Sequence, residues 1–268
     1  MIPQKKDVPD VPISASEIVE QVHEAFELGI SMVHVHARKK NGVPSSTAED
    51  YAPIIDGIRA HCPGLVICAS LSGRNVTDPA ARSEVLSLLP DMASLTLSSL
   101  NFVRSASVNS PDTIQELTER IYAAGASPEL EVFDTGMVNY LGYLVRKGLI
   151  QPPFYINILL GNIAGAQLTA SHIAALERDL PEGALIALAG LGQYQLDAHL
   201  VAMGLGWGVR VGLEDNVHWD RDKRKLTTNI ELVKRVHALA EIARRPVMSA
   251  EAFGQLGFYN RQRHEARA

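Results

Sequence analysis

A parallel (β/α)8 barrel, the TIM fold, is the class this sequence predicts, and three observations predict it. Short apolar runs alternate with amphipathic helical stretches along nearly the whole chain. The runs are almost continuously apolar, as strands covered by helices on one side and packed into a barrel on the other must be. Polar and charged residues collect where those runs end, and in barrels the carboxyl ends of the strands carry the chemistry. A chain of 268 residues with 46% hydrophobic composition suits one such domain, here 1–268. Lys+Arg 25 against Asp+Glu 30 leaves a formal net charge of -5, which gives no reason to expect nucleic acid or an anionic membrane as partner. No run is long and apolar enough to cross a bilayer, the amino terminus lacks the pattern of a signal peptide, and Cys62 and Cys68 read as reduced thiols of a cytoplasmic protein.

Taken in order, Pro9 to Ser14 is extended and proline-locked, and Ser16 opens a helix that runs to Gly29. The stretch Met32–Arg38 follows as a strand. Helices are then expected from Glu49 to His61, Pro79 to Leu89, Pro111 to Ala124, Met137 to Lys147, Ser171 to Asp179, Leu196 to Gly204 and Thr228 to Ala243. Between them fall strands from Leu65 to Leu71, Met92 to Leu97, Leu130 to Phe133, Phe154 to Leu160, Ala184 to Ala189 and Gly208 to Gly212. A closed barrel needs a strand before the first helix, and Met1-Ile2-Pro3 starts too late to supply it. The first strand is therefore expected to be missing or irregular. An open doubly wound sheet would tolerate seven strands, but no glycine-rich first turn is visible to serve it.

His34 and His36 carry the strongest chemical signal. Strand side chains change face at every residue, so both imidazoles point to one side, about 7 Å apart along the strand, and can hold one metal ion. The pair ends its strand just before the turn at Arg38 to Gly42. Arg210 lies inside an apolar strand, where an unpaired charge is costly, so it should meet a carboxylate or an anionic ligand. Glu214 and Asp215 emerge together after it; one can complete a two-histidine, one-carboxylate site while the other serves as a base or as the partner of Arg210. Glu131 alternates with Leu130 and Val132 and faces the interior if those two pack on helices, as a catalytic group or as half of a salt bridge. Ser70-Leu71-Ser72-Gly73-Arg74 offers hydroxyls, amides and a guanidinium to an anion.

The motifs His34-Val-His36-Ala-Arg38, Ser70-Leu-Ser-Gly-Arg74, Pro128-Glu-Leu-Glu-Val-Phe-Asp134, Gly190-Leu-Gly-Gln193 and Val209-Arg-Val-Gly-Leu-Glu-Asp-Asn216 together resemble the β-keto acid cleavage enzymes, whose type member acts on 3-keto-5-aminohexanoate. The likeness extends from Pro9 to about Arg245-Pro246. It implies a TIM barrel holding a divalent metal, usually Zn2+, through His34, His36 and Glu214. It also implies that a β-keto acid and acetyl-CoA exchange acyl groups to give acetoacetate and a new acyl-CoA. Arg210 and Asp215 match the pair that binds and activates substrate, Glu131 matches the carboxylate of the strand before the fifth helix, and Ser70 and Thr96 fall near substrate-contacting positions. A homotetramer is implied as well.

Two departures accompany the likeness. The first strand, with residues that select substrate, would precede or coincide with Met1-Ile2-Pro3, and Gly161-Asn-Ile-Ala-Gly-Ala166 lacks a proline expected in that loop. Two other readings compete: an amidohydrolase-like hydrolase, which would need further histidines at the middle strand ends, and a barrel that binds metal and acyl ligand without turnover.

Overall fold

The computed structural model describes residues 3–265. Its centre is a seven-stranded parallel sheet whose strands lie side by side in chain order. They are β1 (Met32–Val35), β2 (Val66–Ala69), β3 (Met92–Thr96), β4 (Ser127–Val132), β5 (Tyr155–Leu160), β6 (Leu185–Gly190) and β7 (Gly208–Val209). All six pairings are parallel, and each crossover returns over the outer face. The sheet is strongly curled. His34 on β1 and Glu129 on β4 are three strands apart, roughly 14 Å in a flat sheet at the usual spacing of about 4.8 Å, yet their side chains meet at 2.6 Å. Among the described residues β1 and β7 are the two edges, so the ring is not closed by strand pairing. Met1 and Ile2, where the sequence suggested the end of a first strand, lie outside the described residues.

The helices are α1 (Ala15–Glu27), α2 (Ala48–His61), α3 (Pro79–Arg82), α4 (Pro111–Ala123), α5 (Thr135–Arg146), α6 (Ala170–Arg178), α7 (Gln195–Leu205) and α8 (Asn229–Ile242). Most begin on a side chain that accepts a free backbone N–H, as Ser14, Thr47, Ser110, Asp134, Thr169 and Thr228 do. Ser14 with Glu17, and Thr228 with Glu231, form reciprocal capping boxes. The single helix expected from Pro79 to Leu89 is broken: after α3 the chain tightens into a 3-10 turn over Glu84–Leu88. Ser83 Oγ donates back to the carbonyls of Pro79 and Ala80, an alternative to regular helix, and Leu89 is left-handed at φ 53°. The strand expected from Gly208 to Gly212 pairs only at Gly208–Val209, although the Arg210 N–H still reaches Leu188 O.

Alternation divides each strand between two environments. The outward set, including Val35, Ile67, Leu95, Leu130, Val132, Ile156, Ile158 and Leu188, joins Ile54, Ile58, Ile121, Leu141 and Leu144 of the helices in the main hydrophobic core. The inward set begins at the amino-terminal end with Met32, Val66, Met92, Tyr155 and Leu185. Phe253 and Phe258, stacked at 4.6 Å, cap that end. They come from the carboxyl-terminal elements, α9 (Ala250–Phe253), a π turn at Gly254–Phe258 and α10 (Arg261–Glu265), for which the sequence offered no expectation. Buried Asp91 holds this cap, accepting from the amides of Ile67 and Asn260 and pairing with Arg263. The leader folds over the opposite, carboxyl-terminal end, where Val8 and Val11 pack against Leu213, Val217 and Leu232.

His199 on α7 is fully buried behind β7. Its Nε2 lies 3.2 Å from Arg210 O, and a carbonyl can only accept, so Nε2 carries the proton of a neutral ring. Burial pushes its pKa from 6.5 down to about 4. Because the folded value is depressed, the unfolded chain binds the extra proton first as pH falls, so stability should be full above 6.5 and decline towards 4. The two values correspond to a loss on the order of 3 kcal/mol. Urea unfolding at stepped pH should show this decline, and His199→Asn should flatten it.

Candidate active site

The inward residues become polar towards the carboxyl ends of the strands, and there most of the predicted groups meet. β1 delivers His34, and the residue after its end delivers His36; their Nε2 atoms stand 3.2 Å apart. Glu214, from the turn after β7, places Oε1 3.1 Å from His36 Nε2. The three donor atoms lie within 4.8 Å of one another. Two imidazole nitrogens facing each other beside a carboxylate is an arrangement suited to ligands of one cation.

Arg210 continues β7 into the middle of this cluster and meets four carboxylates. Its Nη1 donates to Glu131 Oε1 at 3.1 Å, its Nη2 to Glu214 Oε2 at 3.0 Å and its Nε to Asp215 Oδ2 at 3.2 Å, while Glu129 Oε1 lies 4.0 Å away. Leu130 and Val132 are in the core between sheet and helices, so Glu131 does face inward. Thr96 stands behind it and donates to Glu131 Oε2 at 2.7 Å. The turn after β2 brings Arg74, whose Nη2 donates to Glu214 Oε1 at 3.2 Å and whose guanidinium lies 4.6 Å above the Phe102 ring. Ser72 Oγ accepts from Arg74 Nε at 3.4 Å. Ser70 is buried at the end of β2; Tyr51 donates to its carbonyl and to that of Val35, tying β1 and β2 together just below the histidines. Ser70, Ser72, Arg74, His34, His36, Arg210, Glu214 and Asp215 all line one cavity of about 680 Å³.

Two buried partners were not assigned roles by the sequence. Glu129, two residues before Glu131 and hence one layer deeper on the same face, accepts from His34 Nδ1 at 2.6 Å, from Asn157 Nδ2 at 2.5 Å and from Cys68 Sγ at 3.2 Å. Strand phase would have found it, since Glu129 and Glu131 share a face. Arg82 on α3 is 1% exposed and donates to Leu71 O, Val108 O and Asn109 Oδ1, fixing the Ser70–Arg74 turn from below. A Cβ on Gly73 would come 2.9 Å from both Arg82 Nη1 and Val108 O, so the turn needs glycine there.

Burial sets the proton affinities, and neighbouring charges modify them. Burial would lower His34, but the adjacent Glu129 carboxylate raises it on balance. For His36 burial prevails over Glu214 and the ring is lowered, favouring the neutral form that binds a cation. Burial would raise Glu214, yet His36 and Arg210 hold it well below the usual carboxylate range. Asp215 goes the other way: burial, helped by Glu214, raises it despite Arg210. Cys68 is pushed well up by burial and by Glu129, so its thiol keeps its proton.

A second set of possible ligands, His34, Cys68 and Glu129, also lies within 4.8 Å. It lies deeper in the cavity, with Cys68 and Glu129 at 0% and 1% exposure, and Asn157 already donates to one carboxylate oxygen. The set of His34, His36 and Glu214 opens on the cavity and fits a cation better. Around it stand four carboxylates, Glu129, Glu131, Glu214 and Asp215, all near Arg210, with Arg74 also reaching Glu214. The further histidines of a hydrolase are not at the middle strand ends, because His172, His199 and His237 sit on α6, α7 and α8.

The model of the family described as beta-keto acid cleavage enzyme matches residues 1–256. The 3-oxoadipate:acetyl-CoA acetyltransferase of Cupriavidus necator is 36% identical over 262 residues, covering 96% of this chain and 91% of that protein. The 3-keto-5-aminohexanoate cleavage enzyme of Fusobacterium nucleatum is 32% identical over 255 residues, covering 94% and 92%. The apo structure of ObcA superimposes with a TM-score of 0.80 at 19% identity over 94% of this chain; the chain spans 66% of the length of that protein, and the likeness is one of fold. With a match over nearly its whole length, the chain belongs to the beta-keto acid cleavage enzyme family.

Proposed function

We propose that this enzyme, which cleaves a β-keto acid with acyl transfer involving acetyl-CoA, does so with a divalent metal, zinc for preference, held by His34, His36 and Glu214. The observation that carries the reading is the convergence of those three donors with Arg210 and Asp215 on one cavity. Bound there, the cation would act as a Lewis acid towards the keto and carboxylate oxygens of the substrate. Ser70, Ser72 and Arg74 would take up the substrate's carboxylate through hydroxyls and guanidinium. Asp215, raised by burial and oriented by Arg210, would remove the proton between the keto and carboxylate groups. The resulting carbanion attacks the carbonyl of acetyl-CoA and expels the CoA thiolate. The thiolate then adds to the original keto carbon, the bond to the central carbon breaks, and the proton held on Asp215 returns to give acetoacetate beside the new acyl-CoA. Glu131 and Thr96 would act behind Arg210, holding its plane.

We read the curled seven-stranded parallel sheet as a (β/α)8 barrel with an irregular first strand, and 1–268 as that single domain; the chain-order pairing of the strands supports the reading. The buried, unpaired thiols Cys62 and Cys68 agree with a reducing compartment such as the cytoplasm. No helix among the described residues is long and apolar enough to cross a membrane. Exposed Leu200, Leu205 and Ile242 on α7 and α8 supply apolar surface for the homotetramer that the family likeness implies.

Purified protein dialysed against chelator should lose the ability to make acetoacetate from acetyl-CoA and a suitable member of a β-keto acid panel, and zinc should restore it. His36→Ala should lower both bound zinc and rate. Undiminished turnover in metal-free protein would reject the metal, and no acetoacetate from any keto acid would reject the reaction. Asp215→Asn should keep zinc, measured by elemental analysis, while slowing turnover by between about a hundredfold and ten-thousandfold; an unchanged rate would remove Asp215 as the base.

A further inference from the structure

Glu129 has no place in the reaction above, yet it is among the most completely enclosed charges in the molecule. It is 1% exposed, and its two oxygens accept from three donors on three different strands: His34 Nδ1 at 2.6 Å, Cys68 Sγ at 3.2 Å and Asn157 Nδ2 at 2.5 Å. Arg210 Nη1 approaches to 4.0 Å. Burying a carboxylate is costly unless its oxygens are hydrogen-bonded, and here they are. The group is thus built to stay ionised at one fixed point, directly behind the ring of His34.

We infer that Glu129 is a positioning residue for metal capture: it accepts the Nδ1 proton of His34 and so leaves Nε2, the atom facing His36 and Glu214, as the ligand. The inference rests on the metal reading of the preceding subsection. A neutral imidazole has one protonated and one free nitrogen, and the hydrogen bond made by one decides what the other can do. A carboxylate cannot donate, so a neutral His34 in contact with Glu129 at 2.6 Å must carry its proton on Nδ1. His34 Nε2 is then aimed at His36 Nε2, 3.2 Å away. Cys68 and Asn157 act one step further out, since their donors stop the carboxylate from rotating away. The arrangement also explains why a cysteine and an asparagine stand on the inner face of β2 and β5, where apolar residues would otherwise fill the barrel.

The test is zinc affinity of the whole protein, measured by competition with a chromophoric chelator. Glu129→Gln should weaken binding by about tenfold to a hundredfold, while thermal melting of the metal-free variant stays cooperative. Cobalt-loaded wild type should show a nitrogen and oxygen ligand spectrum without a thiolate charge-transfer band. Equal affinity of wild type and a folded Glu129→Gln would overturn the inference and leave the metal reading standing, whereas wild type that takes up no zinc would overturn both. If Glu129→Gln does not fold, nitrogen-15 spectra of the histidines in zinc-loaded wild type decide the matter. A proton on His34 Nδ1 with metal on Nε2 is the expected result. A proton on Nε2, or a thiolate band marking Cys68 as ligand, would overturn it.

Discussion

One guanidinium, that of Arg210, sits among four carboxylates on the inner side of the sheet, and the geometry of the site follows from keeping it there. An arginine in an apolar strand is tolerated only if its charge is matched and its donors are used. Glu131, Glu214 and Asp215 each take one of its nitrogens, and Glu129 stands just beyond. Because these acids come from β4 and from the turn after β7, the ion cluster can form only if the sheet curls enough to bring the two together. Loss of one partner from such a buried pair typically costs about 3–5 kcal/mol, since the other is left uncompensated. The buried charge of Arg210 therefore favours the curvature that makes the cavity.

The carboxylates around Arg210 are not equivalent, and their differences come from depth and neighbours. Glu214 has a histidine and two arginines within reach and is held ionised. Asp215, adjacent in the chain, has Arg210 on one side but is buried and repelled by Glu214, so it keeps more affinity for a proton. Two consecutive acids are thereby set apart in their affinity for a proton by what surrounds them. Arg74, stacked over Phe102, joins the cluster from the cavity wall through Glu214.

The strands and most helices were legible because their periods are strong: each apolar run expected as a strand contributes to the sheet, and the phase of Glu131 follows from Leu130 and Val132. That His34, His36 and Glu214 come together was expected from the alternation of the first strand, from the acids that follow the last, and from the family motifs. What escaped depends on partners distant in sequence. Glu129 reads as one more strand acid until Cys68 and Asn157 are seen around it, and Arg82 looks like an ordinary helix-end cation although it is fully enclosed by Leu71, Val108 and Asn109. The break after α3 arises from a serine hydroxyl competing with the backbone, which hydrophobic spacing does not register. The cap formed by Phe253 and Phe258 is too short and irregular to carry a helical or strand period.

The ligands proposed for the metal come from opposite borders of the sheet. His34 lies on β1, the first strand in the order, and His36 directly after it, while Glu214 follows β7, the last. No backbone ladder joins these borders among the described residues. A cation shared by the three side chains would therefore work as a clasp across the seam, fastening the first strand to the last. With such an ion in place the hoop would be at its tightest, and three side-chain contacts would buckle the ring.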